Sequence, residues 1–291
     1  MPHDKFTATW VSHSSIGDFL KCPRAYYLNN VYKDPKTGHK ISITSPAMSL
    51  GSAVHTVLES LSTVPTPIRF KDSLIKQFDE VWKDISGKKG GFTSKDQEME
   101  YKKRGEEMIK NVMKDPGPLK KLSVKIKQDL PHYWISAEDN IILCGKLDWL
   151  EYYPDTDTVG ILDFKTGKNR EDENSLQLPI YSLLVHNCQK RKATTAKYWY
   201  LAEGNEFLEK DLPDLDESHE KILSIAKKIK TARKLESFKC PKGPKGCFAC
   251  NPLEAIIRGE AEFVGESAYR QDLYIVNKDN LNKEEDDSVI L

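Results

Sequence analysis

The stretch VGILDFKTG at residues 159–167 constrains this chain more than any other. Its apolar start, Val159, Ile161 and Leu162, reads as a buried strand, and Thr166 and Gly167 close it with turn residues. Side chains alternate across a strand, so Asp163 and Lys165 share one face and Phe164 takes the other. A carboxylate and an ammonium at the end of a buried strand are costly unless they pair or do chemistry. A second strand, read over residues 141–149, carries Gly145-Lys146-Leu147-Asp148. Antiparallel pairing of the two brings Asp148 beside Asp163. Two carboxylates and a lysine converging there suit a divalent metal and the water it activates.

The cysteines give a second signal. Cys240, Cys247 and Cys250 lie in a Gly/Pro-rich turn with spacing C-x6-C-x2-C, and Cys22 precedes a proline far upstream. Three thiols so close in such a loop point to a metal, and Cys22 can complete a four-thiolate set. Four thiolates suit zinc or an iron–sulfur cluster equally, and the spacing leaves both open. Cys144 and Cys188 remain as buried thiols.

Charge excludes a uniformly basic surface, because Lys+Arg and Asp+Glu are equal at 44 each. Any phosphate-binding face is therefore local. Residues 227–245 carry eight basic side chains against Glu236 alone, which makes Lys242 and Lys245 candidate phosphate contacts. The basic residues at 83–127 read as a solvated helical face or as part of a nucleic-acid channel. The first ten residues lack the apolar core of a signal peptide, and no long apolar run occurs. A cytoplasmic protein without a membrane partner is expected, and in that reducing compartment six cysteines favour metal over disulfides.

Along the chain, a helix is expected to open near Ser14, with Ser15 and Asp18 as its capping pair, and Pro23 to bend it at Cys22. A helix at 46–62 carries a core stripe of Val54, Val57, Leu58 and Leu61, with Gly51, His55 and Glu59 stacked on a neighbouring face. Two or three amphipathic helices follow up to residue 115. Strands at 124–128, 133–135 and 141–153 then read as an antiparallel meander leading into 159–165. A helix with Leu176, Ile180, Leu183 and Leu184 buried comes next, with Gln177 and Tyr181 one turn apart beside the stripe. Two more strands, a helix at 216–235, the cysteine turn and a strand at 269–276 complete the pattern.

In this order, Gly51-x3-His55-x3-Glu59, Gly145-x2-Asp148, Asp163-x-Lys165-Thr-Gly and Gln177-x3-Tyr181, together with the four cysteines, resemble the RecB-like branch of the PD-(D/E)XK nucleases. The iron–sulfur members of that branch include the AddB nuclease domain and the CRISPR-adaptation nucleases. The resemblance runs over residues 12–252. Its close cysteine pair comes last, where the cluster-bearing relatives commonly place it first.

The resemblance implies an α/β fold, a restriction-endonuclease-like core with a mixed central sheet flanked by helices. One domain would span residues 1–277, with a helical insertion at 63–117 and a cysteine knuckle at 237–252, before an acidic tail at 278–291. Asp148, Asp163 and Lys165 would be catalytic. His55, Asp148, Asp163 and the backbone carbonyl of Phe164 would hold Mg²⁺ or Mn²⁺, with Glu59 close behind them. Gln177 and Tyr181 would hold DNA, and Cys22, Cys240, Cys247 and Cys250 a [4Fe–4S] cluster, with structural Zn²⁺ as the alternative. The implied activity is exonucleolytic hydrolysis of single-stranded DNA ends in recombination, repair or phage-type processing. CRISPR-adaptation trimming beside integration proteins is the nearest alternative, and a non-catalytic DNA-end-binding module the more distant one. No G-x4-G-K-[ST] loop occurs, so a helicase partner would be separate.

Overall fold

The protein's architecture comes from a computed structural model, which describes residues 4–204 and 206–276. The acidic tail expected at 278–291 lies outside the described residues. A short strand β1 (Thr9–Val11) leads into α1 (His13–Lys21), α2 (Pro23–Asn30), β2 (Lys40–Ile43) and α3 (Pro46–Ser60). Then come α4 (Leu74–Lys83), α5 (Lys95–Lys114) and the hairpin of β3 (His132–Ser136) and β4 (Ile141–Cys144). The central segment is β5 (Trp149–Tyr153), β6 (Thr158–Lys165), α6 (Gln177–Cys188), β7 (Ala193–Tyr200) and β8 (Phe207–Lys210). The chain continues through α7 (Leu215–Lys234), α8 (Asn251–Ile257), β9 (Glu262–Glu266) and β10 (Gln271–Ile275). This is an α/β fold with mixed sheets between helices, consistent with a restriction-endonuclease-like core.

Among the described residues the strands form the mixed sheet β5-β6-β7-β8 and two smaller sheets, β1-β4-β3 and β2-β10-β9. The strand expected over 141–153 is broken, because β4 ends at Cys144 and β5 begins at Trp149. The two halves have different partners, β4 lying parallel to β1 and β5 antiparallel to β6. The expected strand at 124–128 is also absent. That region meets β5 through an isolated bridge of Ser123 with Glu151, with Val124 N–H donating to Leu150 O and Tyr152 N–H to Leu122 O. β6 and β7 run parallel across α6, the crossover such a pair requires.

Alternation along β6 sends its side chains into two cores. Val159 and Ile161 pack with α6, α7 and the β1-β4-β3 sheet, while Leu162 and Phe164 pack with α3, α4 and α5. The helices of the expected insertion thus lie against the sheet through Phe78, Trp82, Met108, Ile109 and Val112. Gly105 lets α5 approach closely, since a Cβ there would stand 2.4 Å from the Phe78 ring and 2.9 Å from Leu50.

α1 starts two residues before the expected Ser15 cap. Ser12 is its N-cap, and Ser12 and Ser15 exchange side-chain-to-backbone hydrogen bonds as a capping box. Cys22 ends α1, and Pro23 opens α2 at its first position, where its missing N–H costs nothing. A third, smaller core gathers Cys22, Ala25, Leu28, Ile41, Cys240, Cys250, Leu253 and Ile256, joining α2, β2 and α8. β9, which sequence patterning did not reveal, pairs with β10. The hairpin is fastened to the chain before β2 by His39 Nδ1, 2.9 Å from Asp272 Oδ1 and 3.1 Å from Glu266 Oε1. No helix among the described residues is long and apolar enough to cross a membrane.

Candidate active site

The antiparallel register of β5 and β6 sets Trp149 opposite Leu162, which carries the preceding Asp148 to the level of Asp163. Asp148 Oδ2 accepts the peptide N–H of Phe164 at 2.8 Å, so one buried carboxylate is fixed by the backbone that bears the other. Asp163 is 2 % exposed. Its Oδ1 accepts from Gln177 Nε2 at 2.8 Å. Its Oδ2 accepts no hydrogen bond, although Lys165 Nζ stands 3.0 Å away.

Burial and the neighbouring Asp148 charge raise the Asp163 carboxyl to about 7, against the opposing pull of Lys165 and His55. The Lys165 ammonium, 3.0 Å from Oδ2, offsets this only in part, so the paired carboxylates have room for further positive charge. The donor set, with Asp163 Oδ2 buried and met by an ion pair but no hydrogen bond, fits a divalent metal.

α3 supplies the opposite wall. Gly51, one turn before His55, leaves space for the turn after β6, since a Cβ there would stand 3.2 Å from Thr166 Oγ1. His55 Nδ1 is 3.3 Å from Asp148 Oδ1 and 3.5 Å from Glu59 Oε1. Burial disfavours the imidazolium, yet Asp148 and Glu59, with added charge from Asp163, outweigh it and raise His55 to about 10. Ligand atoms of His55, Glu59 and Asp148 all lie within 4.8 Å of one another. The structure thus places Glu59 in direct company with His55 and Asp148, while Asp163 is turned toward Lys165 and Gln177. Lys146 forms an ion pair with Glu59 on the outer side.

Lys165 is held from several sides. Its Nζ donates to Glu171 Oε2 at 2.6 Å and to Gln177 Oε1 at 2.5 Å, and lies 4.8 Å from the centre of the Tyr198 ring. Burial works against the ammonium, but Asp163 and Glu171 outweigh it and shift its pKa upward. Gln177 also donates to the Tyr181 hydroxyl at 3.1 Å. Both residues are buried, at 9 % and 8 % exposed, and Gln177 hydrogen-bonds both Asp163 and Lys165 while Tyr181 backs Gln177.

Two members of this network were not expected from the sequence. Glu171 lies in the loop after β6, its N–H donating to the Tyr200 hydroxyl at 2.9 Å. Burial raises its carboxyl, but Lys165 and Ser175 lower it by more. His13, the first residue of α1, is shifted downward by burial, with Glu171 opposing and Lys165 reinforcing the shift. Nothing in spacing marks either residue. A loop acid and a histidine beside a capping serine have no periodic signature.

The second cluster is the thiol set. The Sγ atoms of Cys22, Cys240, Cys247 and Cys250 lie within 4.8 Å of one another, and Cys247 and Cys250 are 3.8 Å apart. Peptide N–H groups already point at two sulfurs, Lys242 to Cys240 at 3.4 Å and Cys247 to Cys250 at 3.2 Å. Gly246 makes the turn possible with φ at 77°, where a Cβ would stand 1.9 Å from Asn251 Oδ1. Burial pushes the Cys250 thiol up to about 12. At Cys247 the N–H groups of Cys250 and Ala249 outweigh burial and bring the thiol down to about 7. Four clustered sulfurs, three of them buried, suit a metal centre held as thiolates. Of the remaining cysteines, Cys144 is buried and Cys188 half-buried. Lys242 and Lys245 are exposed on the same turn.

The family model of the PD-(D/E)XK nuclease superfamily matches residues 10–252, which include both clusters. A comparison with curated proteins finds no match.

Proposed function

The chain belongs to the PD-(D/E)XK nuclease superfamily, and from that premise we propose that it is a Mg²⁺- or Mn²⁺-dependent deoxyribonuclease acting on single-stranded DNA ends. The observation that carries this reading is the pair Asp148 and Asp163 at the end of β6, with Asp163 Oδ2 buried and without a hydrogen bond beside Lys165.

In this reading His55, Asp148, Asp163 and the Phe164 carbonyl hold the cation, and Glu59 braces His55. The bound cation supplies a lowered water pKa and positive charge facing the scissile phosphate. Lys165 exchanges its Glu171 and Gln177 partners for the attacking water or a phosphate oxygen, and stabilises charge there as the phosphorus becomes five-coordinate. Gln177 and Tyr181 keep Asp163 and Lys165 aligned and hold the DNA beside them. Lys242 and Lys245 contact phosphates further along the strand. The likeness to RecB-type nucleases supports an exonuclease of recombination, repair or phage-type processing that works beside a separate helicase.

For the four thiols, the resemblance supports a [4Fe–4S] cluster that fastens α1 and α2 to the cysteine turn. A second reading is favoured by the sulfur spacing. The four sulfurs lie within 4.8 Å of one another, with Cys247 and Cys250 3.8 Å apart, an approach close enough that these residues would hold one four-thiolate Zn²⁺. In either case the role is structural, because the hydrolytic residues sit on α3, on β6 and just before β5.

The test is end-labelled single- and double-stranded DNA incubated with Mg²⁺, with Mn²⁺ or with EDTA. Shortening from an end of the single strand, lost in EDTA, is expected. A protein that binds DNA ends and never cleaves them would leave the non-catalytic alternative.

A further inference from the structure

Phe248 stands between two of the clustered cysteines and is 82 % exposed. An exposed phenyl ring forgoes the stabilisation that burial would give it. The turn keeps it there. Cys247 and Cys250 on either side are tied by Cys247 N–H to Cys250 Sγ at 3.2 Å, Cys250 N–H to Cys247 O at 3.1 Å and Asn251 N–H to Cys247 O at 2.9 Å. A ring on so constrained a loop is presented outward at little further entropic cost.

The turn that bears it carries one sign of charge along its sequence. Lys239, Lys242 and Lys245 are exposed on the same segment, and no acidic side chain occurs between Glu236 and Glu254. Glu254 is itself engaged by Arg24, 3.1 Å away, and Arg24 also donates to Pro244 O at 3.4 Å. An outward aromatic ring among lysines has the two elements of a single-strand binding surface, a face for a base and cations for its phosphates.

The position relative to the catalytic cluster suits that use. Cys22 directly follows α1, whose first residue, His13, lies within electrostatic reach of Lys165 and Glu171. The nine residues of α1, about 13 Å of helix, thus link the residue before Cys22 of the thiol set to the one beside this cluster.

We propose that Phe248 is a stacking platform for one unpaired base, with Lys242 and Lys245 on the flanking phosphates, and that it contributes selectivity for single-stranded over duplex DNA. The selectivity follows because both faces of a base inside a duplex are already covered by its neighbours. This rests on the nuclease reading for the choice of DNA as occupant, and charge complementarity favours it over a protein partner or a second copy of the chain.

The test uses the full chain carrying Asp163→Asn, so that the probe survives, and a labelled oligothymidine or a duplex of equal length. Phe248→Ala should weaken single-strand binding roughly tenfold, leave duplex binding unchanged and keep the log–log salt slope. Phe248→Trp should restore the affinity, and its added emission should be quenched by the oligonucleotide. Equal metal content and equal melting temperature in the variants establish that the turn is intact. Unchanged single-strand affinity in Phe248→Ala would overturn the proposal, as would equal losses on both probes, or a loss of self-association without an effect on DNA. Cleavage is read separately on the unsubstituted protein. Metal-dependent cleavage with no Phe248 effect would remove only this inference, and a Phe248 effect in an inert protein would remove only the nuclease reading.

Discussion

Asp148 accepts the peptide N–H of Phe164, the residue between Asp163 and Lys165, at 2.8 Å. The bond locks the two carboxylates side by side before any cation arrives, and the repulsion appears in the raised Asp163 carboxyl. Asp148 has two tasks, as acceptor for a buried N–H and as negative charge, and substitutions can separate them. Asp148→Asn keeps an acceptor and should preserve metal-free stability while abolishing metal loading. Asp148→Ala should cost about 1–3 kcal/mol by orphaning the Phe164 N–H. Urea unfolding in EDTA checks both values, and equal stability of the two variants would show that the bond matters little.

Metal loading should tighten as pH rises. His55 is raised to about 10 and Asp163 to about 7, so the free site holds protons that a cation must displace. Both shifts are upward, so the competition is strongest at low pH and fades as pH climbs through those values. The thermal stabilisation given by Mn²⁺ should therefore be small near pH 6 and larger near about pH 9. A stabilisation independent of pH would place the cation away from His55 and Asp163.

Cys22→Ala should lose metal as completely as Cys250→Ala, because each leaves three sulfurs of the four-thiol set. Both should lower the melting temperature of the whole protein, since Cys22 and Cys250 sit in the core that joins α2, β2 and α8. Metal analysis after anaerobic purification reads the site directly. Four irons with a brown colour identify the cluster, and one zinc without colour identifies the tetrahedral ion. Full metal content in Cys22→Ala would mean that the fourth ligand lies elsewhere.

Neutralising Lys242 and Lys245 together should reduce the slope of log affinity against log salt for single-stranded DNA by about 0.7 per lost contact. An unchanged slope would assign these exposed lysines to solvent alone.

The strand β6 was legible because its signals are local. An apolar run ending in Asp163-Phe164-Lys165 fixes which side chains share a face, and the antiparallel partner sets Asp148 beside Asp163 without knowledge of the rest. The stacking of Gly51, His55 and Glu59 follows from the helical repeat alone. The break between Cys144 and Trp149 was not legible, because it arises from a change of partner, β1 and β3 before it and β6 after it, while the pattern of the chain runs on. Glu171 and His13 reach Lys165 from a loop and a helix start, and no repeat in the sequence records that meeting. Gln177 and Tyr181 were legible as a pair but not in their attachment, since their burial against Asp163 depends on how α6 packs across β6.

The central claim is that Asp163 and its neighbours make metal-dependent hydrolysis possible, and the most direct measurement compares unsubstituted protein with Asp163→Ala on end-labelled single-stranded DNA in Mn²⁺. The substitution removes a ligand and opens little space, so the variant should fold, bind DNA and retain its thiol-bound metal. Its cleavage should fall to the level seen in EDTA. Substantial cleavage by purified Asp163→Ala protein, with contaminating nuclease excluded, would contradict the account.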